Sequence, residues 1–353
     1  MKLSFILFFI LINISFSKNI AIIQNEEVIK ELVKLSDTSS ISSMEILEER
    51  VSGVKQLFSD KDGRSGVVDP RGAFPSIYQI TTTQGLSDIT NSEKGSGPFD
   101  DPAMMRCFTV EFGKLYLANL HQHLTGGQPS QGWQAYYDAA ESGTPILEVL
   151  GIGVNVHVNL DLTQSLLNCE APNEFRPDFM KGGTSLVTEI PKMSQDIYEI
   201  YGVDRELTEG FFKIFAVGNA GDFILDILGI ESNTSLAIFQ TLRYISFHYH
   251  SGLMKAKYPK WYSIFSGLNA SLIRKTMQTT WVVSNFVIKE VLFEMQEHGF
   301  QHTSTHIGSL IWKAVKRIDF SFNLFGKDDE EDKEKQVEDT QESVDPLDDA
   351  FDM

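Results

Sequence analysis

Apolar residues recur every three or four positions along most of the chain, the spacing that gathers them on one face of an α-helix. "SSMEILEERVSGVKQLFSD" places Ile46, Val51, Val54, Leu57 and Phe58 on such a face behind serine caps. "DPAMMRCFTVEFGKLYLANLHQHL" opens with an aspartate cap and a proline at the first helical position. "SLVTEIPKMSQDIYEIYG" reads as a helix interrupted or kinked near Pro191. Three long apolar-periodic segments follow, "SNTSLAIFQTLRYISFHYHSGLMKA", "SLIRKTMQTTWVVSNFVIKEVLFEMQEHG" with a glycine stop, and "STHIGSLIWKAVKRIDF". Nowhere do two alternating runs flank an Asn-Gly or Asp-Gly hairpin. The expected fold class is all-α, a multi-helix globular bundle.

One stretch departs from this rhythm. In "GIGVNVHVNLDL" Val154, Val156, Val158, Leu160 and Leu162 alternate with Asn155, His157, Asn159 and Asp161, the pattern of a half-buried strand. The stretch lies inside 145–168, which has no turn chemistry except Gly151 and Gly153 and is too long for a typical strand. A lone strand among helices would leave its backbone donors and acceptors unpaired. A central helix is therefore expected, with His157 and Asp161, four residues apart, on one face. The two glycines, costly within a helix, imply that another helix or a ligand approaches closely.

Composition adds a compartment and a tail. The opening "MKLSFILFFILINISFSKN" has one lysine, an apolar run over 3–14 and small residues before Lys18. This reads as a signal peptide over 1–17, because the run falls short of the roughly 20 apolar residues that span a bilayer. A secreted or endomembrane-luminal protein with no transmembrane span is expected. The segment 327–353 is dense in carboxylates and carries more than half of the formal net charge of −18, so it is expected to be disordered and solubilising. Residues 18–326 then form a single helical domain. No basic face points to nucleic acid. Two cysteines, Cys107 and Cys169, either pair or remain as buried thiols. Asn233 and Asn269 stand in glycosylation sequons.

From about residue 69 to 169 the chain resembles the bacterial domain of unknown function family 5995, whose signature is Asn-Ala-His-Ile-Asn-x-Asp-Leu. Here Asn155, His157, Asn159, Asp161 and Leu162 stand at those positions. "GAFPSIYQIT" matches the family's Phe-x-x-x-Tyr-x-x-x-Thr through Phe74, Tyr78 and Thr82; "FDDPAMM" matches Phe-x-Asp-Pro through Phe99, Asp101 and Pro102, and Tyr116 lies in the helix after it. "GWQAYYDAA" supplies Trp133 and Tyr137. The likeness fades after Cys169, with Arg274 and Trp281 as later counterparts, so the family-like core extends to about 285. Thr163 stands where the family often has proline. The resemblance implies an all-α fold centred on the His157 helix and carries no reaction with it.

His157 and Asp161 are spaced to act as metal ligands or as a general base oriented by a carboxylate. The His-x-x-x-Asp pair is also similar to part of the motif of zinc-dependent phospholipases C and single-strand nucleases, although that motif has a histidine where Thr163 stands. Asp101, expected first as a helix cap, is a further candidate ligand. His302 and His306 in "HTSTH" form a second pair with ligand spacing near a helix start. His248 with His250, and His121 with His123, are two apart and diverge on a helix. Asn155 and Asn159 are expected to bridge helices or hold the imidazole. No nucleophile elbow, phosphate-binding loop or His-Glu-x-x-His is present.

Two functions remain open. One is a secreted metal-dependent hydrolase in which His157 and Asp161 hold a divalent ion such as zinc that activates water. The other is a non-catalytic domain that binds a small-molecule or apolar ligand or a partner, with the His/Asn/Asp cluster a satisfied buried network.

Overall fold

The computed structural model describes residues 19–217, 238–257 and 266–325. The expected signal peptide, the acidic tail and Asn233 lie outside the described residues, and Asn269 lies in the last described helix. Among the described residues every regular element is helical, and the sole β feature is an isolated bridge between Ile20 and Val68.

The helices begin where the capping residues stand. α1 (Glu26–Ser36) is capped by the side chain of Asn25, which accepts from the amides of Glu27 and Val28. α2 (Met44–Phe58) is capped by Ser43. α3 (Ala73–Glu93) follows a 3-10 turn at Pro70–Gly72. α4 (Pro102–Leu124) has Asp101 accepting from the Met104 amide, with Pro102 at the position whose missing N–H costs nothing. α5 (Gln131–Glu141) and α6 (Ile146–Val156) come next. A π turn at His157–Asp161 leads directly into α7 (Leu162–Asn168). α8 (Arg176–Val187) and α9 (Ile190–Tyr201) are separate helices, so the break expected near Pro191 is present, and Gly202 ends α9 at φ 72°. α10 (Arg205–Val217), α11 (Ile238–Lys257) and α12 (Ser266–Phe325) complete the order. α12 is broken at Gly299 (φ 79°, ψ 167°), the glycine expected to stop it.

The stretch 146–168 is the central helix of the bundle, and α3, α4, α5, α11 and α12 all pack on it or on its π turn. By length and composition Ile146–Asn168 would cross a membrane, but 78% of its apolar window is buried among the other helices. Close approach explains its glycines. A Cβ on Gly151 would lie 2.7 Å from Ile288 Cγ2, and one on Gly153 would lie 3.0 Å from Phe74 Cβ and from Tyr136 Cε2. Fully buried Trp133, Tyr116, Tyr136 and Tyr137 fill the space beside it, each such ring contributing on the order of 2–3 kcal/mol by removal from water.

Two devices hold the ends. Cys107 in α4 and Cys169, just past α7, form a disulfide with Cα atoms 6.0 Å apart. The completely buried carboxylate of Asp69 accepts from the Ile23 amide at 2.8 Å and from the Arg71 guanidinium at 2.6 Å and 3.0 Å, tying the N-terminal segment to the core. Tyr136 links this ion pair to α3, its hydroxyl donating to the Arg71 carbonyl at 2.7 Å and accepting from the Phe74 amide at 3.1 Å.

Candidate functional site

The π turn places one extra residue in the central helix, so that the Leu162 amide reaches back to the His157 carbonyl. Neighbouring α11 braces it. Ser246 Oγ donates to the Val158 carbonyl at 3.1 Å, and Thr163 Oγ1 donates to the Ser246 carbonyl at 3.2 Å. Within the turn His157 Nδ1 and Asp161 Oδ2 are 2.8 Å apart, so the two share a face as their spacing requires.

His157, 3% exposed, sits in an aromatic box. Phe112 stacks on it at a centroid distance of 3.5 Å, and Tyr78 (4.7 Å), Phe74 (5.0 Å) and Trp133 (6.0 Å) present their rings edge-on. Tyr116 closes the box behind Phe74 and Trp133. Asp161 Oδ2 also accepts from Trp133 Nε1 at 3.0 Å. With both donors converging on one carboxylate oxygen, Nδ1 carries the imidazole proton and Nε2 carries none; Nε2 is buried and without a hydrogen-bond partner. Burial holds the His157 imidazole below its ordinary value against the opposing pull of Asp161. Burial likewise raises the Asp161 carboxyl, against the bonds from His157 and Trp133.

Asp161 has a second face. It also lines an open cleft of about 630 Å³ bordered by α4, the 128–132 segment, α7 and the 274–281 stretch of α12. Five glutamines line the cleft, Gln122, Gln128, Gln131, Gln164 and Gln278, together with Arg274 and Trp281. Gln278 Nε2 donates to Gln131 Oε1 at 2.8 Å across it. The far wall is anchored by Asn155, whose amide donates to the Trp281 carbonyl (2.9 Å) and Asn285 Oδ1 (2.7 Å) while Asn159 donates to Asn155 Oδ1.

Of the landmarks of the resemblance, Phe74, Tyr78 and Trp133 thus meet His157 directly and Tyr116 stands behind them. Residues 54–217 match the family of unknown function DUF5995. No curated protein and no solved structure matches the chain. The DUF5995 match begins inside α2, earlier than residue 69, and ends with α10, so Arg274 and Trp281 lie outside it although both line the cleft.

Not every candidate residue joins this site. Asp101 is exposed and spends its carboxylate on the α4 cap, while its own amide donates to Asp178 Oδ2 at 2.6 Å. Asp100 pairs with Lys181 at 2.7 Å. Among the described residues no third His, Cys, Asp or Glu donor stands within 4.8 Å of both His157 and Asp161. Asp101, the further candidate ligand, is engaged as the α4 cap, and the second candidate pair, His302 and His306, lies on α12. Thr163, at the position of the missing histidine, bonds to backbone. His302 instead groups with Glu294 and His298 on α12. His250 Nε2 meets the Ala171 carbonyl at 2.8 Å, and His123 stacks on Tyr137 and pairs with Glu141 at 2.8 Å. Composition alone did not reveal the glutamine lining, whose members come from four separate stretches, nor the Trp133–Asp161 bond.

Proposed function

We propose that this domain binds a neutral, polyhydroxylated small molecule in the glutamine-lined cleft, with Asp161 as an acceptor in its lining. The supporting observation is the double position of Asp161, whose side chain is only 9% exposed yet lines the cleft while its buried oxygen is held by His157 and Trp133. Primary amides both donate and accept, which suits hydroxyl groups better than fully charged ligands, and the volume falls in the range of small-molecule pockets. Leu160, Met277 and Trp281 add apolar surface for the faces of such a ligand. His157 faces the aromatic box and acts as a positioning residue for Asp161. The hydrolase reading requires a metal-bound water at this pair, and a two-donor set with a buried imidazole does not support it.

Calorimetric titration of the full chain with neutral sugars, short oligosaccharides and polyols tests the reading. Saturable binding weakened by Asp161→Asn and by Gln131→Ala is expected. No saturable binding to any of them, or binding that neither substitution alters, would overturn it.

We further propose a luminal or extracellular location, with glycans on Asn233 and Asn269. The Cys107–Cys169 pairing supports an oxidising compartment. Recovery of the chain from the medium of secreting cells, with a mobility shift on deglycosylation, is the expected result.

A further inference from the structure

Along α12 the sequence "EMQEHGFQHTSTH" repeats a ligand-type residue every fourth position, as Glu294, His298, His302 and His306. Met295 and Thr303 are buried on either side of the Gly299 break, while His298 and His302 are exposed and Glu294 is half-buried. The ligand-type face therefore looks outward across the joint. Glu294 Oε2 lies 3.1 Å from His298 Nδ1. The His298 and His302 rings are 4.9 Å apart, and His306 stacks on the far side of His302 at 4.2 Å with its Nδ1 bonded to the His302 carbonyl at 2.9 Å. One donor atom from each of Glu294, His298 and His302 falls within 4.8 Å of the others.

We propose that Glu294, His298 and His302 form a site for a divalent transition-metal ion of the zinc type, which clamps α12 across the Gly299 break. Two imidazoles and a carboxylate are a donor set that zinc accepts with water in the fourth position. Calcium and magnesium, which take oxygen ligands, are disfavoured. Metal–donor bonds of about 2.0–2.2 Å require the three atoms to draw together by roughly 1–1.5 Å. Exposed side chains make that movement by rotation about their own bonds. Glu294 and His298 precede Gly299 and His302 follows it, so the ion would span a point where the helix ladder is interrupted. This site is separate from the cleft and does not depend on what binds there.

The test is calorimetric titration of chelator-treated, untagged full-length protein with zinc chloride, with calcium and magnesium chlorides as comparisons. One zinc ion per chain is expected, with affinity at least about tenfold lower in His298→Ala and in His302→Ala and unchanged in the exposed neighbour variant Gln296→Ala. Amide exchange around Gly299 should slow when zinc is added to the native chain and not in the His298→Ala/His302→Ala double variant. Circular dichroism confirms that each variant is folded. Absence of saturable zinc binding, equal affinity in the double variant, or binding that leaves exchange at Gly299 unchanged would overturn the proposal.

Discussion

Trp133 Nε1 and Asp161 Oδ2, 28 residues apart in sequence, meet at 3.0 Å inside the protein. The indole thereby joins α5 to the π turn through the same oxygen that His157 engages, making Asp161 the shared acceptor of two buried donors.

Replacing Trp133 by Phe keeps an aromatic ring but deprives a buried carboxylate of one donor. A loss of about 2–3 kcal/mol in unfolding free energy is expected from the lost charge-assisted bond and the smaller ring. Urea denaturation measures it, and a double-mutant cycle with Asp161→Asn should return a coupling of about 1 kcal/mol or more.

The buried imidazole has a pH signature. Its folded value lies below the ordinary 6.5, so as pH falls through 6.5 the unfolded chain takes up a proton that the folded chain refuses. Stability is thus present above pH 6.5 and declines as pH falls from there toward the depressed folded value. His248 and His250 are also held low by burial and act in the same direction. Asp161 works oppositely, since a carboxyl raised above 3.8 takes up its proton first in the folded state. Stability curves between pH 7.5 and pH 5.5, about the window set by these groups, should slope less steeply in His157→Phe than in the native chain; equal slopes would remove His157 from the account.

Gly151 tests the close approach of the helices. Alanine is the better helix former by about 1 kcal/mol, yet its Cβ would stand 2.7 Å from Ile288 Cγ2 and 3.2 Å from Phe211 Cζ. Steric crowding is expected to win, with Gly151→Ala less stable by about 1–2 kcal/mol in thermal or urea unfolding.

The disulfide closes a loop with a sequence separation of 62. Chain entropy assigns about 4 kcal/mol to such a crosslink. Cys107→Ser/Cys169→Ser should lower the urea midpoint accordingly, and added reductant should lower the native midpoint but not that of the variant.

Much of this architecture was legible in the sequence for local reasons. The Asp101 cap before Pro102, the break ahead of Pro191 and the Gly299 stop each depend on a residue and its immediate neighbours, and each appears where expected. The helix through 146–168 followed from its length, even though its alternation imitates a strand. What escaped depends on distance along the chain or on backbone geometry. No side-chain period announces a π turn, because it adds a residue without changing which types are apolar. The cleft gathers Gln122, Gln164 and Gln278 from elements separated by long intervals. Glu294, His298 and His302 recur every fourth residue in the sequence, but that their common face is turned outward is a fact of the packing of α12.

The Cys107–Cys169 crosslink also decides how the protein comes apart. Trp133, His157, Asp161 and the 128–132 rim of the cleft all belong to one covalently closed circle of chain. A protease that cuts once in the exposed 125–128 loop opens that circle without releasing a piece. The two fragments should migrate as a single species until a reductant is added, and the buried network should outlive the cut that severs its backbone.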